Sequence, residues 1–431
     1  MIPVSLLILA LTRPPAPAPP LAIVHATVVP MDAERTLERY TILVQDGRIA
    51  WLGPDSSAEI PSEARVIDAT AKWVLPGLAD MHVHSGAGDF PAFVANGVTT
   101  IREMNGAGEH LELRNAVREG RVLGPSMIVT GPLIAGEEQR WRHAMARTPD
   151  DGRALVAEQA RLGFDAVKIY DGLTRETYDA IVEASAAAGI QFVGHVPRGV
   201  GLERVLESGQ RSIEHAGQIA HAVASTDSAA LAEVGRRIAR SGAWVTPTLA
   251  SEEALSRRGT PWFAERLARP EVMLVDPGLV DWWRSLGEGM PETAAAERRR
   301  AYREGTAALV RALLDAGVPL LAGTDTPNPL MIPGFSLHEE LAALVAAGLT
   351  PYEAIRGATA EAGRFADMEA EFGTIRVGAR ADLVLTDADP LADVSSLARP
   401  TAVVLRGEWL PRERLDGLLG EALAEVGAES R

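Results

Sequence analysis

Leu78-Ala79-Asp80-Met81-His82-Val83-His84-Ser85-Gly86 is the stretch on which the reading of the fold turns. It is short, apolar and closed by a Ser-Gly turn, as a buried strand should be. Side chains two apart on a strand point the same way, so His82 and His84 share one face at the strand's carboxyl end. Two adjacent imidazoles there make a natural pair of metal ligands. From this stretch alone, a hydrogen-bonded pair of histidines without metal stays equally open.

Working outward, seven further apolar segments of similar length follow: Val98–Glu103, Met127–Gly131, Ala166–Tyr170, Gln191–Val196, Ser212–Ala216, Trp244–Leu249 and Pro319–Asp325. Amphipathic stretches rich in Ala, Leu, Glu and Arg separate several of them, notably Asp150–Leu162, Arg175–Ala188 and Glu297–Ala316. Eight alternating strand and helix units predict an α/β fold, a (β/α)8 TIM-like barrel over residues 77–370. The flanks read differently. Ala22–Val29, Ile42–Val44, Ile49–Leu52 and Val66–Asp68 are short strands, with Asp46-Gly47 as a hairpin turn. After Glu371 the same pattern returns in Gly373–Ile375, Ala381–Thr386 and Thr401–Leu405. These flanks, 21–76 and 371–420, are expected to join into one small discontinuous β-sandwich domain.

In a parallel barrel, functional groups gather at the carboxyl ends of the strands. His82, His84, Lys168, His195, His215 and Asp325 all fall there, from five different strands. Lys168 is unusual within this chain. Of 42 basic residues only Lys72 and Lys168 are lysines. Lys168 lies inside Ala166-Val167-Lys168-Ile169-Tyr170, where a lone ammonium is costly. A primary amine, unlike a guanidinium, can lose its proton and act as nucleophile, base or carbamate. Five neutral or anionic donors around one such residue suit two divalent cations. Zinc fits a His/Asp set, and manganese, cobalt or iron are alternatives.

Composition narrows the function classes. With no cysteine, thiol catalysis, Cys-ligated zinc and disulfides are excluded. A net charge of −16 argues against nucleic acid or an anionic membrane surface as main partner. Ser5–Leu11 is an apolar run of signal-peptide length, followed by alternating Pro and Ala up to Pro20. Residues 1–20 read as a signal peptide or a tail, and export to the periplasm or outside is favoured over the cytoplasm. No segment has the apolar length of a membrane span. A homo-oligomer is compatible with the chain, and nothing in it sets the oligomeric state.

Pro76–His84, together with Gly323-Thr324-Asp325, Ser336–Leu341 and Ala381–Val384, resembles the amidohydrolase superfamily of metal-dependent hydrolases. Within it the chain is most similar to the imidazolonepropionase-related group, which includes lysine-carbamate prolidases and N-acyl amino acid hydrolases. The resemblance runs from about Leu21 to Leu410. It implies that His82, His84 and Asp325 hold one metal ion and that His195 and His215 hold a second. Lys168, converted by CO2 to a carbamate, would bridge both, and as an anion between cations it no longer carries a burial penalty. The implied reaction is hydrolysis of a non-protein amide, such as a dipeptide or N-acyl amino acid bearing a carboxylate. A metal-bridging hydroxide would attack, and Asp325 would serve as general base and then acid.

Other residues receive secondary roles. Tyr170 shares the strand face of Lys168 and could hydrogen-bond a substrate carbonyl or carboxylate, or simply pack at the barrel mouth. Arg140, Arg142 and His143 lie in the long loop after the third strand, where an arginine could clamp a carboxylate. Gly131-Pro132-Leu133-Ile134 replaces the Gly-Gly-His-Gly-like stretch often found there in related sequences. His338 is a catalytic or supporting candidate, with a structural role as the alternative. Glu103, following Arg102, reads as a supporting ion pair. His25, His110 and His221 read as ordinary surface or packing histidines. The stretch Ala250–Arg298, with Trp262, Trp282 and Trp283, is too long for a simple connection and reads as a lid or a surface insertion. Two other functions stand beside the first: a mononuclear imidazolonepropionase-like ring hydrolase or deaminase, which would not need Lys168, and an inactive binding protein on the same scaffold.

Overall fold

A computed structural model describes residues 19–223, 225–289 and 291–429. The signal-peptide reading falls on 1–18 and lies outside the described residues. No described helix is long and apolar enough to cross a membrane.

The two β-rich flanks meet in one eight-stranded sheet. Leu383–Thr386, from the C-terminal flank, pairs antiparallel with Trp73–Pro76 from the N-terminal one. Leu21–Val28 continues the sheet through Leu37–Gln45 to Arg48–Pro54, and Arg65–Asp68 pairs alongside it. The hairpin at Asp46-Gly47 forms as expected, with Gly47 at φ 75°. Val44, Ile49, Val74, Leu383 and Val404 fill a core on this sheet. Gly373–Ile375 is not a strand. Its backbone tie is Ile375 N–H to Pro30 O at 2.9 Å, and Gly373 at φ 95° turns the chain away from any ladder.

Between the flanks lie the parallel strands. Leu78–Val83, Val98–Glu103 and Ser126–Val129 form one sheet. Ala166–Ile169, Gln191–Gly194, Ser212–Glu214 and Trp244–Thr246 follow in sequence order in a second, with the short Ile134–Ala135 and Ala144–Met145 at its edge. A parallel bridge between Thr130 and Ala166 ties the first sheet to the second. The eighth expected strand, 319–325, forms no regular ladder. It is held by two backbone bonds on each side: Val245 N–H to Pro319 O at 3.1 Å and Leu321 N–H to Val245 O at 2.9 Å, then Met81 N–H to Ala322 O at 2.9 Å and Asp325 N–H to His82 O at 2.7 Å. Pro319 has no N–H to give, and Asp325 at φ 61° leaves the extended region.

The helices start and stop where side-chain chemistry dictates. Thr148 accepts from Asp151 N at the start of Pro149–Leu162, and Gly163 at φ 83° ends it. Thr174 and Gly189 bracket Arg175–Ala188 in the same way. The long insertion is helical, with Leu249–Arg257, Pro261–Leu267, Pro277–Ser285 and Glu292–Ala301. Phe263, Val280 and the fully buried Trp283 pack it onto Leu330, Met331 and Ile332. A final helix, Arg412–Glu429, was not expected from the sequence. Leu415 and Leu418 seat it against Val94 and Ala95 of the helix Phe90–Ala95.

Candidate metal centre

The carboxyl ends of the parallel strands converge, and the six residues expected there line a single cavity: His82, His84, Lys168, His195, His215 and Asp325. Ligand atoms of His82, His84 and Asp325 lie within 4.8 Å of one another. Asp325 Oδ1 is 3.3 Å from His82 Nε2 and 3.2 Å from His84 Nε2. The ring centroids of His82 and His215 are 4.7 Å apart, and those of His195 and His215 are 5.0 Å apart. Local backbone serves this convergence. His215 at φ 67° and Asp325 at φ 61° both occupy the left-handed region, where a branched or bulky L-residue is strained by roughly 1–3 kcal/mol. Gly323 lets that last segment press on His82, since a Cβ there would sit 2.9 Å from the His82 backbone nitrogen.

Each imidazole is gripped from outside. His82 Nδ1 meets Glu214 Oε2 at 2.9 Å, His195 Nδ1 meets Asp171 Oδ1 at 3.2 Å, and His215 Nδ1 meets Thr248 Oγ1 at 2.8 Å. His84 Nδ1 lies 3.7 Å from Glu103 Oε1. These contacts direct the Nε2 atoms inward, the arrangement that orients histidine ligands and fixes their tautomer. His195 Nε2 is buried with no hydrogen-bond partner among the described residues. A buried nitrogen left so is expensive unless something electrophilic meets it. Burial drives His215 down to about 3 and holds His82 well below its ordinary value, so both are neutral donors. Burial pushes Asp325 upward, yet the carboxylate is held well below its ordinary value and stays ionised, with His84, raised against its own burial to about 9 by Asp325 and Glu103, as its cationic partner 3.2 Å away. The donor set therefore fits divalent cations.

Lys168 is buried, with Nζ 3.5 Å from His82 Nε2. No carboxylate lies within 4.0 Å of that nitrogen among the described residues, whereas Lys72 pairs with Asp387 at the surface. Burial lowers the Lys168 amine to about 8, although Glu214 and Asp325 pull the other way. A substantial free-base fraction at neutral pH is what reaction with CO2 requires.

Glu214 is the functional residue that sequence reading passed over. It is fully buried, takes His82 Nδ1, and accepts from Arg102 Nη2 at 2.9 and 3.0 Å. Arg102 also donates through Nε to Met81 O at 2.6 Å and through Nη2 to Thr246 Oγ1 at 3.1 Å. Arg102 thus pairs with Glu214 and not with its neighbour Glu103, because alternate strand residues face opposite sides. Glu103 instead accepts the Ser85 and Asn105 backbone N–H groups. The only signal in the sequence was the acidic residue between Ile213 and His215. Arg102→Leu is expected to cost about 3–5 kcal/mol in urea denaturation, because it strands a buried carboxylate. Glu214→Gln is expected to weaken metal affinity about 10–100-fold in chelator competition.

The secondary candidates are placed unevenly. Tyr170 lines the cavity, its ring 4.2 Å from that of His195, and burial keeps its phenol protonated. Arg142, His143 and Arg140 are not among the described lining residues, and each has partners outside the cavity. Arg142 is spent on Asn105 O and Glu109, and His143 on Trp141 O and Glu138. Arg140 stacks 3.9 Å over Trp282. His338 is also absent from the lining. It is buried, and its Nε2 lies 3.0 Å from Asn96 O. His25 pairs with Asp55 and His110 bonds Ser85 O, as ordinary histidines do.

Fold and site together define a metal-dependent hydrolase acting on carbon–nitrogen bonds. The chain belongs to the amidohydrolase family, whose profile matches residues 73–410. It is similar to an ochratoxinase of Aspergillus niger, 25% identical over 446 residues, which span 87% of this chain and 83% of that one. It is also similar to an imidazolonepropionase of Maricaulis maris, 25% identical over 392 residues, covering 88% of this chain and 95% of the other. Among solved structures, a bottromycin amidohydrolase is 28% identical with a TM-score of 0.77, covering 95% of this chain and 91% of its own.

Proposed function

We propose that this protein is a binuclear metal-dependent amidohydrolase that cleaves a small-molecule amide, with a dipeptide or N-acyl amino acid as substrate. The observation that carries the reading is the set of four imidazoles around Lys168, three of them hydrogen-bonded outside at Nδ1 and the fourth, His84, with Nδ1 3.7 Å from Glu103. Its architecture is read as a (β/α)8 barrel, residues 77–370, beside a discontinuous β-sandwich domain of 21–76 and 371–420. The bonds that hold 319–325 between Trp244–Thr246 and Leu78–Val83 support closure of that barrel.

His82, His84 and Asp325 would hold one ion and His195 and His215 the other, with Lys168 as a carbamate between them. When bound, two such ions, proposed to be zinc, would lower the pKa of a water and polarise an amide carbonyl. The chain's own residues do the rest. Asp325, ionised and beside both ligand pairs, takes a proton from the attacking water and returns it to the leaving amine. Tyr170, protonated and within the cavity, donates to the substrate oxygen. No arginine is among the described residues of the cavity lining, so a substrate carboxylate would lie outside it, toward the mouth.

Metal analysis of the purified protein, with turnover measured on N-acyl amino acids and Xaa-Pro dipeptides, tests this. Two ions per chain and hydrolysis of at least one amide are expected. Fewer than one ion with no turnover removes the proposal. One ion, with activity kept in Lys168→Ala, would favour the mononuclear ring-hydrolase reading that the imidazolonepropionase relative brings to mind.

A further inference from the structure

The cavity over the metal-ligand cluster measures about 160 Å3. Its walls divide by chemistry. Asn105 is already committed, with Oδ1 accepting from Leu133 N at 3.1 Å and Nδ2 donating to Arg142 O at 2.9 Å. Asn328 gives its Nδ2 to Asp325. What remains above the cluster is apolar: Leu133, Trp141, Pro327 and the ring of Tyr170. Lys168 is the only Lys or Arg among the described lining residues.

Trp141 is braced from the far side. Its ring meets Trp282 edge-on, with centroids 5.7 Å apart at 83°. The Arg140 guanidinium lies 3.9 Å over Trp282 and 5.5 Å from Trp141, within cation–π range of both. Trp282 belongs to the helix Pro277–Ser285, which its neighbour Trp283 anchors in the core of the insertion. An indole on a loop is thereby held as a fixed flat wall beside the reacting centre. A rigid aromatic face with few freedoms to lose is an efficient contact for another ring.

We propose that Trp141, with Leu133 and Pro327, forms a subsite for an aromatic group of the amide substrate, and that Trp282 and Arg140 are its positioning residues. The proposal rests on the amide-hydrolase reading and supplies its substrate class: amides with a benzyl-like or phenyl group next to the scissile bond.

The test compares matched substrates, N-acetyl-L-phenylalanine against N-acetyl-L-alanine and N-benzoylglycine against N-acetylglycine, in metal-loaded wild type, Trp141→Ala, Trp141→Phe and Trp282→Ala. For at least one pair, wild-type kcat/KM is expected to favour the aromatic member at least tenfold. Trp141→Ala should reduce that ratio at least tenfold, Trp282→Ala should reduce it less, and Trp141→Phe should keep most of it. Metal content and circular dichroism of the variants serve as folding controls. A ratio near one in wild type, or one unchanged in Trp141→Ala, overturns the proposal. If no amide is hydrolysed, the amide reading has failed by itself. Equilibrium dialysis of the same compounds then decides the subsite: aromatic preference lost in Trp141→Ala supports it, and equal binding or none overturns it.

Discussion

Lys168→Arg is expected to leave at most one metal ion per chain and to lower kcat/KM by about a thousandfold or more, the scale on which losing one electrostatic element of a catalytic site is felt. By charge the substitution is conservative. By chemistry it is not, because guanidinium does not give up its proton and cannot carry CO2 as a carbamate. Arginine is also bulkier, and Lys168 Nζ already stands 3.5 Å from His82 Nε2. A permanent cation there would repel the ions that the imidazoles are arranged to receive. Lys168→Ala separates the causes, since it removes the ligand without adding charge. It too should hold at most one ion. Mass-spectrometric metal counting after gel filtration, paired with turnover, reads both variants. Two ions and full activity in Lys168→Arg would sink the carbamate assignment.

Asp325→Asn should lower kcat by roughly 10^2–10^4-fold, the contribution usual for a positioned acid–base group. The carboxylate lies 3.2–3.3 Å from His84 and His82 and also accepts from Asn328. It lies well below its ordinary value despite its burial, with the raised His84 imidazole beside it. A carboxamide has the same shape, cannot take a proton, and turns an N–H toward one of those partners. The proposed second ion, on His195 and His215, does not depend on Asp325, so some metal is expected to remain in the variant while turnover collapses. Stopped-assay kcat with metal counts on the same samples is the check. A kcat within tenfold of wild type would assign the proton to another group.

Much of this was legible without coordinates, and the reasons are local. The i, i+2 rule puts His82 and His84 on one face, and the topology of alternating strands and helices sends strand carboxyl ends to one side. The rarity of lysine isolated Lys168. The amphipathic pattern made Arg175–Ala188 legible to the residue. What could not be read depended on distant partners. Glu214 lies 112 positions from Arg102 and 132 from His82, and no periodicity links them. Arg140 and Arg142 were read as a clamp because their charge was visible, while the groups that occupy them, Trp282, Glu109 and Asn105 O, were not. His338 sat in a family-like motif, yet its contact with Asn96 O places it in the core. Gly373–Ile375 had strand composition and lacked a partner strand to bond.

The sequence by itself therefore determined the class of chemistry: which side chains can bind cations, and which one amine stands in an apolar strand. Those are properties of residue type and short-range spacing, and they are present in the chain before it folds. Tertiary structure alone decided which nitrogen of each imidazole faces inward, because Glu214, Asp171 and Thr248 reach Nδ1 from other strands and loops. It likewise decided that Trp141 and not an arginine walls the cavity, because the brace comes from Trp282, far along the chain. Contacts between residues 24, 33 and 132 positions apart are set by packing, and no local pattern encodes them.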